Sequence, residues 1–263
     1  MLNRAGRGFV RPFFVLASST ILLFAVRASR QFQLVSIMKR SSKLMRLFSR
    51  LFLILLVVVV LLAAWIAFDL TRTPTTNIRR FDPDEVARLE TAMWRSYYSR
   101  RRLRLFFELG ELLRSQYHFP FWQSQRVAYH AARAAFVFKD GKTRADYERA
   151  LPDLIAYYTA IRRTSDVPFD PQRAAALELE WWIIHRQRAE HKEGDLANAL
   201  AATAAEVYQV PPARLAEHAR LRAEAMTIRD DTAAAGGVTE TDWAHIDQLL
   251  HDSWRSLHQA VNE

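Results

Sequence analysis

Cysteine is absent from all 263 residues. Its absence excludes disulfides, thiolate metal sites and cysteine nucleophiles, and fits either redox compartment. Glycine and proline are scarce, at 7 and 9. With Ala, Leu and Arg abundant, this favours helix over sheet, and no convincing strand pattern occurs. Also missing are the P-loop, the dinucleotide glycine pattern, G-x-S-x-G and HExxH, each of which brings its phosphate cradle, nucleophile or metal pair as a unit. Ser and Thr have no nucleophile context, and nothing calls for a cofactor.

Acidic residues are missing from the first 68 positions, which carry ten Lys/Arg. A net charge of +9 would ordinarily point to nucleic acid or an anionic surface. Residues 69–263, however, hold 27 basic against 28 acidic side chains. The excess flanks an apolar run, so a nucleic-acid partner is not expected.

That run is Leu51–Phe68, eighteen apolar residues without charge, Gly or Pro. At about 1.5 Å per residue it rises roughly 27 Å as a helix, close to the thickness of a bilayer's hydrocarbon core. Trp65 and Phe68 stand at its far end, where rings favour the membrane interface. Lys39, Arg40, Lys43, Arg46 and Arg50 precede it, against Arg72, Arg79 and Arg80 after it. The positive-inside bias then puts the C-terminal domain outside the cytoplasm. The run is long for a signal peptide, and Trp65 spoils the small-x-small pattern before Ala67, so residues 51–70 are expected to form an uncleaved single-pass anchor. This places the chain in a bacterial cytoplasmic membrane, with an organellar membrane as the alternative.

Residues 1–50 contain a second apolar stretch, Pro12–Val26. Three readings fit it: a second span whose basic loop makes a hairpin with the first, part of an Arg/Ser-rich targeting sequence, or sequence upstream of a true start at Met38. The last is favoured, because MKRSSKLMRLFSR before an apolar run has the form of a signal anchor.

Residues 71–81 read as a short polar linker. Asp82 as N-cap, Pro83 at N1 and Glu85 at N3 then open a helix, with Phe81 and Val86 as a hydrophobic staple. Its periodicity runs to about Tyr117, with an interruption expected in Arg100–Arg104. Further helices are expected from Pro120 to Asp140, from Thr143 to about Arg163 with a kink at Pro152, from Pro171 to about His191, from Asp195 to Tyr208, from Pro211-Pro212 to Gly236, and from Thr239 onward.

At an offset of 88 the chain resembles itself. FDPDEVARLETAMWRSYYSR (81–100) matches FDPQRAAALELEWWIIHRQR (169–188) at eight of twenty positions, and RVAYHA (126–131) lies on RLAEHA (214–219). Thr143-x-x-Asp146 and Thr239-x-x-Asp242 repeat a cap further out of register. The reading is a tandem duplication, with units at 82–165 and 169–262. An all-α fold is expected, either an α-solenoid-like stack or a pseudo-symmetric bundle.

The duplication equates Glu90 with Glu178, Arg126 with Arg214 and His130 with His218. A polar seam is expected, with Glu90 paired to Arg126 and Glu178 to Arg214 across buried helix faces, each His completing the bonding. The alternative gathers Glu90, His130, Glu178 and His218 into a metal site, although the Glu-x-x-His spacing of ferritin-like bundles is absent. Glu178 and His185 lie two turns apart between Trp181 and Trp182, as a polar island, a groove lining or an acid–base pair. Adjacent helix positions point about 100° apart, so at least one ring of the Trp doublet is expected to meet a second helix layer, a membrane surface or a partner. The function expected from these residues is a membrane-anchored interaction or envelope-scaffold module with a protein or peptide partner; the alternative is a metal-binding or enzymatic bundle.

Overall fold

A computed structural model describes residues 16–72 and 74–263, and among these it is all-helical with no strand. The chain divides into two compact units, 1–65 and 66–263.

The first unit belongs to helix α1 (Leu16–Thr71). Met45–Thr71, 27 residues, is long and apolar enough to cross a membrane. The apolar side chains of Leu51–Leu62 are about half exposed or more. The backbone of residues 27–50, where a hairpin would need its loop, is helical throughout. Residues 12–15 of the other apolar stretch lie outside the described residues.

The second unit holds helices α2 (Pro83–Tyr98), α3 (Arg102–Tyr117), α4 (Phe121–Asp140), α5 (Arg144–Glu148), α6 (Leu151–Thr164), α7 (Pro171–Arg186), α8 (Asp195–Tyr208), α9 (Ala216–Ala234) and α10 (Glu240–Asn262). Local chemistry sets their starts. Asp82 and Asp170 cap α2 and α7 with their carboxylates, and Thr143 with Asp146 and Thr239 with Asp242 form reciprocal capping boxes. Each such cap is worth about 0.5–2 kcal/mol. Arg100, in the left-handed region at φ 58°, separates α2 from α3 inside the Arg-rich stretch. Pro152 does not kink a single helix. The chain breaks at Arg149-Ala150, and Pro152 sits in the first turn of α6, where its missing N–H costs nothing.

Connections are short, so successive helices run antiparallel. Each long helix packs on the next, from α2 through α3, α4, α6, α7, α8 and α9 to α10, and α10 packs back on α2. The eight helices therefore close into a ring. An open α-solenoid-like stack would leave its first and last helices without neighbours; here they meet. Trp254 of α10 and Phe81, just before α2, are both buried and stack edge to face at 5.7 Å.

The stretch expected to be a short polar linker is built into the domain. Thr76 N–H donates to Thr164 O (2.7 Å), and Asp166 N–H donates to Thr76 O (3.0 Å). Thr76 and Ser165 thus form an isolated parallel bridge, with Ile78 beside it fully buried. At the end of α1, the buried Asp69 accepts from the Trp122 backbone N–H (2.6 Å), while Gln123 Nε2 donates to Asp69 O. Pro120 offers α4 no side-chain cap, so the Asp69 carboxylate satisfies that helix end and meets its positive dipole.

Candidate functional site: the cavity inside the ring

A half-open cavity of about 360 Å³ lies within the ring, lined from all eight long helices and within the ~300–1,000 Å³ usual for small-molecule pockets. On α2 the lining includes Glu90, Met93, Trp94 and Tyr97; on α7 it includes Glu178, Trp181, Trp182 and His185. Both sets follow the i, i+3, i+4, i+7 spacing of one helix face. Tyr117 on α3 and Tyr208 on α8 line it from helices that both end in a left-handed residue, His118 and Gln209, two positions before a proline.

Two carboxylates reach the cavity, and they are held alike. Glu90, 1% exposed, accepts from Trp254 Nε1 of α10 (2.6 Å). Glu178 accepts from the Tyr158 hydroxyl of α6 (2.8 Å) and from Trp182 Nε1 one turn along its own helix (3.0 Å). Tyr158 and Trp254 stand at the same distance from the capping boxes at Thr143 and Thr239 that open their segments. In each case the donor lies on the helix preceding the glutamate around the ring.

Charge separates the two. Arg222 Nη2 of α9 donates to Glu90 Oε1 (2.5 Å), giving a mostly buried ion pair. Among the described residues no cationic side chain pairs with Glu178, whose bonds come from neutral donors. Counted from Pro120 and Pro211, the residue of α4 that corresponds to Arg222 is Ala131, which also lines the cavity.

Burial governs the ionisation of the remaining groups. It pushes the Tyr208 phenol up to about 12, and it raises Tyr158 well above its ordinary value with help from the adjacent Glu178 charge. Tyr117 and Tyr157 move the same way for the same first reason. These phenols stay protonated at neutral pH; Tyr158 donates to Glu178 Oε2, while Tyr208 accepts from Gln116 Nε2 (2.9 Å). His218, 3% exposed, is pushed down to about 3 by burial and then by the Arg222 charge. Its Nδ1 lies 3.0 Å from Ser253 O and 2.8 Å from Ser253 Oγ, while Ser253 Oγ–H donates to His218 O. That arrangement makes Nδ1 the protonated nitrogen. His185 Nε2 stands 3.1 Å from Asp230 Oδ2, whose other oxygen takes Arg229. Burial raises the Asp230 pKa, but the bonds from His185 and Arg229 outweigh it and the net direction is down.

Of the expected seam, Glu90, Glu178, His185, His218, Trp181 and Trp182 do line one cavity. Arg126 and Arg214 do not: both are exposed, and Arg222 takes the place expected of an arginine at 126 or 214. The cause is register. The gap-free offset of 88 holds through α2 and α7, but the α7–α8 connection is longer than that between α2 and α3. By Pro120 and Pro211 the offset is three residues greater, nearly one helical turn. His130 and His218 consequently occupy different surroundings. His130 Nδ1 bonds Asp153 Oδ1 (3.0 Å), with Arg133 on that carboxylate's other oxygen. Glu90, His130, Glu178 and His218 therefore do not converge. Among the described residues, no group of three or more His, Cys, Asp or Glu could hold a metal ion. Both rings of the Trp doublet line the cavity, because an opening this wide spans two adjacent helix positions. Sequence reasoning missed Arg222, Tyr158 and Trp254. The first is signalled by its i, i+4 spacing from His218, and the other two by their equal distance from the capping boxes.

In comparisons with known proteins, no family model matches the chain, and no curated protein or solved structure matches it either.

Proposed function

We propose that the chain is a membrane-anchored, extracytoplasmic binding module that takes a small, mainly apolar ligand into the centre of its helical ring. The cavity carries this reading: it is about 360 Å³, walled by Trp and Tyr rings, with a few fixed polar groups around it. That composition suits a ligand site, where apolar walls supply affinity and sparse polar groups supply orientation. The 27-residue apolar helix supports the anchor, and the basic residues before it support the orientation; a bacterial cytoplasmic membrane is the location this implies. Tandem duplication of a four-helix unit accounts for the paired features: equal α2 and α7 with aspartate caps, the left-handed ends of α3 and α8, and the two capping boxes.

The test is saturable uptake of a neutral apolar probe, neopentylbenzene, by the full chain in lipid nanodiscs, measured against empty nanodiscs. Uptake should disappear in Ala204→Trp, which fills the cavity from α8, while its melting curve remains cooperative. Equal uptake by both proteins would overturn the reading.

A second reading, docking of a protein or peptide partner, has its own surface. Leu103 (79% exposed) and Phe107 (59%) on α3, and Tyr129 and Phe136 on the adjoining α4, are all exposed. Cross-linking in the native membrane that is lost in Leu103→Ser/Phe107→Ser, yet kept in Ala204→Trp, would favour it.

A further inference from the structure

We propose that the ligand of the cavity is an organic monocation, an amine or quaternary ammonium on an apolar body, held by Glu178 among the surrounding aromatic rings. This rests on the reading of the cavity as a binding site and names what it selects.

Charge is the first ground. The cavity lining brings two carboxylates, Glu90 and Glu178, against one guanidinium, Arg222, which is already bound to Glu90. His218 is neutral, and His185 is matched by Asp230. One negative charge is left over, and it sits on Glu178. Each Glu178 oxygen accepts one bond from a neutral donor, Trp182 Nε1 or the Tyr158 hydroxyl; a carboxylate oxygen has a second lone pair to offer.

The second ground is the comparison of the halves. Both glutamates sit at the same step of the ring and both take a donor from the preceding helix. Glu90 has its cation supplied by the protein. At Glu178 the corresponding position is Ala131, a methyl group where the other half carries a guanidinium. The walls are the third ground. Trp181, Trp182, Tyr157 and Tyr158 line the cavity around Glu178, and the faces of such rings attract a cation that has shed its water. An anion would meet the excess negative charge, and a neutral apolar molecule would leave it unmatched.

The probe is benzyltrimethylammonium, with neopentylbenzene as its uncharged carbon isostere, in equilibrium dialysis against the full chain in nanodiscs. The cation should bind at least tenfold more tightly than the isostere. Glu178→Gln should abolish that preference while leaving the isostere unaffected. Ala131→Arg should do the same by placing an internal cation beside Glu178, and its melting temperature should not fall, which separates loss of the site from loss of the fold. Equal affinity of the two probes, or a preference unchanged in both variants, would overturn the monocation and leave the cavity reading standing. Binding of neither probe would overturn both.

Discussion

Replacing His218 with Asn should flatten the acid side of the stability profile. The imidazole is 3% exposed, and its pKa is pushed down to about 3 from 6.5 by burial and the Arg222 charge. In the unfolded chain it titrates near its ordinary value. Between these two pH values the unfolded state holds the extra proton, so stability falls as pH falls through that window. Above about pH 7 the group contributes no slope. One pKa unit is about 1.4 kcal/mol, so the linkage from pH 7.5 to 4.5 amounts to roughly 2.7 kcal/mol. For a domain of this size that corresponds to roughly 5–11 °C in Tm. Asparagine keeps an N–H donor close to the place of Nδ1, so the bond to Ser253 O has a successor while the titration is gone. Melts of the full chain in detergent at pH 7.5, 5.5 and 4.5 should show the wild type losing stability relative to the variant by that amount. Parallel curves for the two proteins would refute the assignment of a buried, neutral His218.

Glu90→Ala leaves Arg222 and the Trp254 N–H without their acceptor, and should cost about 3–5 kcal/mol; replacing the pair by Glu90→Leu/Arg222→Leu should cost much less. Thermal melts of the singles and the double check this, and additive losses would refute it. Thr239→Ala removes the capping-box hydroxyl of α10, a helix the ring needs for closure, and should cost about 1 kcal/mol by urea titration, as should Thr143→Ala at the short α5. A reporter fused after Glu263 should behave as exported, and activity of a reporter that works only in the cytoplasm would contradict the orientation.

Helix starts were legible because capping chemistry is local. Asp82-Pro83, Asp170-Pro171, Thr143-x-x-Asp146 and Thr239-x-x-Asp242 each contain their own bonding partners within one turn. The inward face of α7 was legible too, since Glu178 and His185 fall among its Trp residues. Pairing across the ring was not. Arg222 bonds a glutamate 132 residues away, and the three-residue shift that brings it there, rather than Arg214, arises in a connecting loop with no periodic pattern. The fate of residues 76–78 was hidden for a related reason. Their partners at 164–166 are reached by two backbone bonds, the Thr76 hydroxyl and the Asp166 carboxylate, single contacts 88 or more residues apart that form no periodic pattern.

Closure of the ring has a consequence for how the chain acquires its structure. The bond between Glu90 and Trp254 joins residues 164 positions apart, so although α2 packs on α3, the Glu90 side of α2 has no companion until α10 has been synthesised. Assembly that waits on such distant pairings is slow and leaves apolar surface bare in the meantime. A helical stack whose contacts were all between neighbours could consolidate one hairpin at a time during synthesis. Here α2 to α9 can pair with their neighbours in turn, but the wall that α10 supplies comes late, and until it arrives the aromatic lining of the future cavity is the surface that a holding chaperone would have to cover.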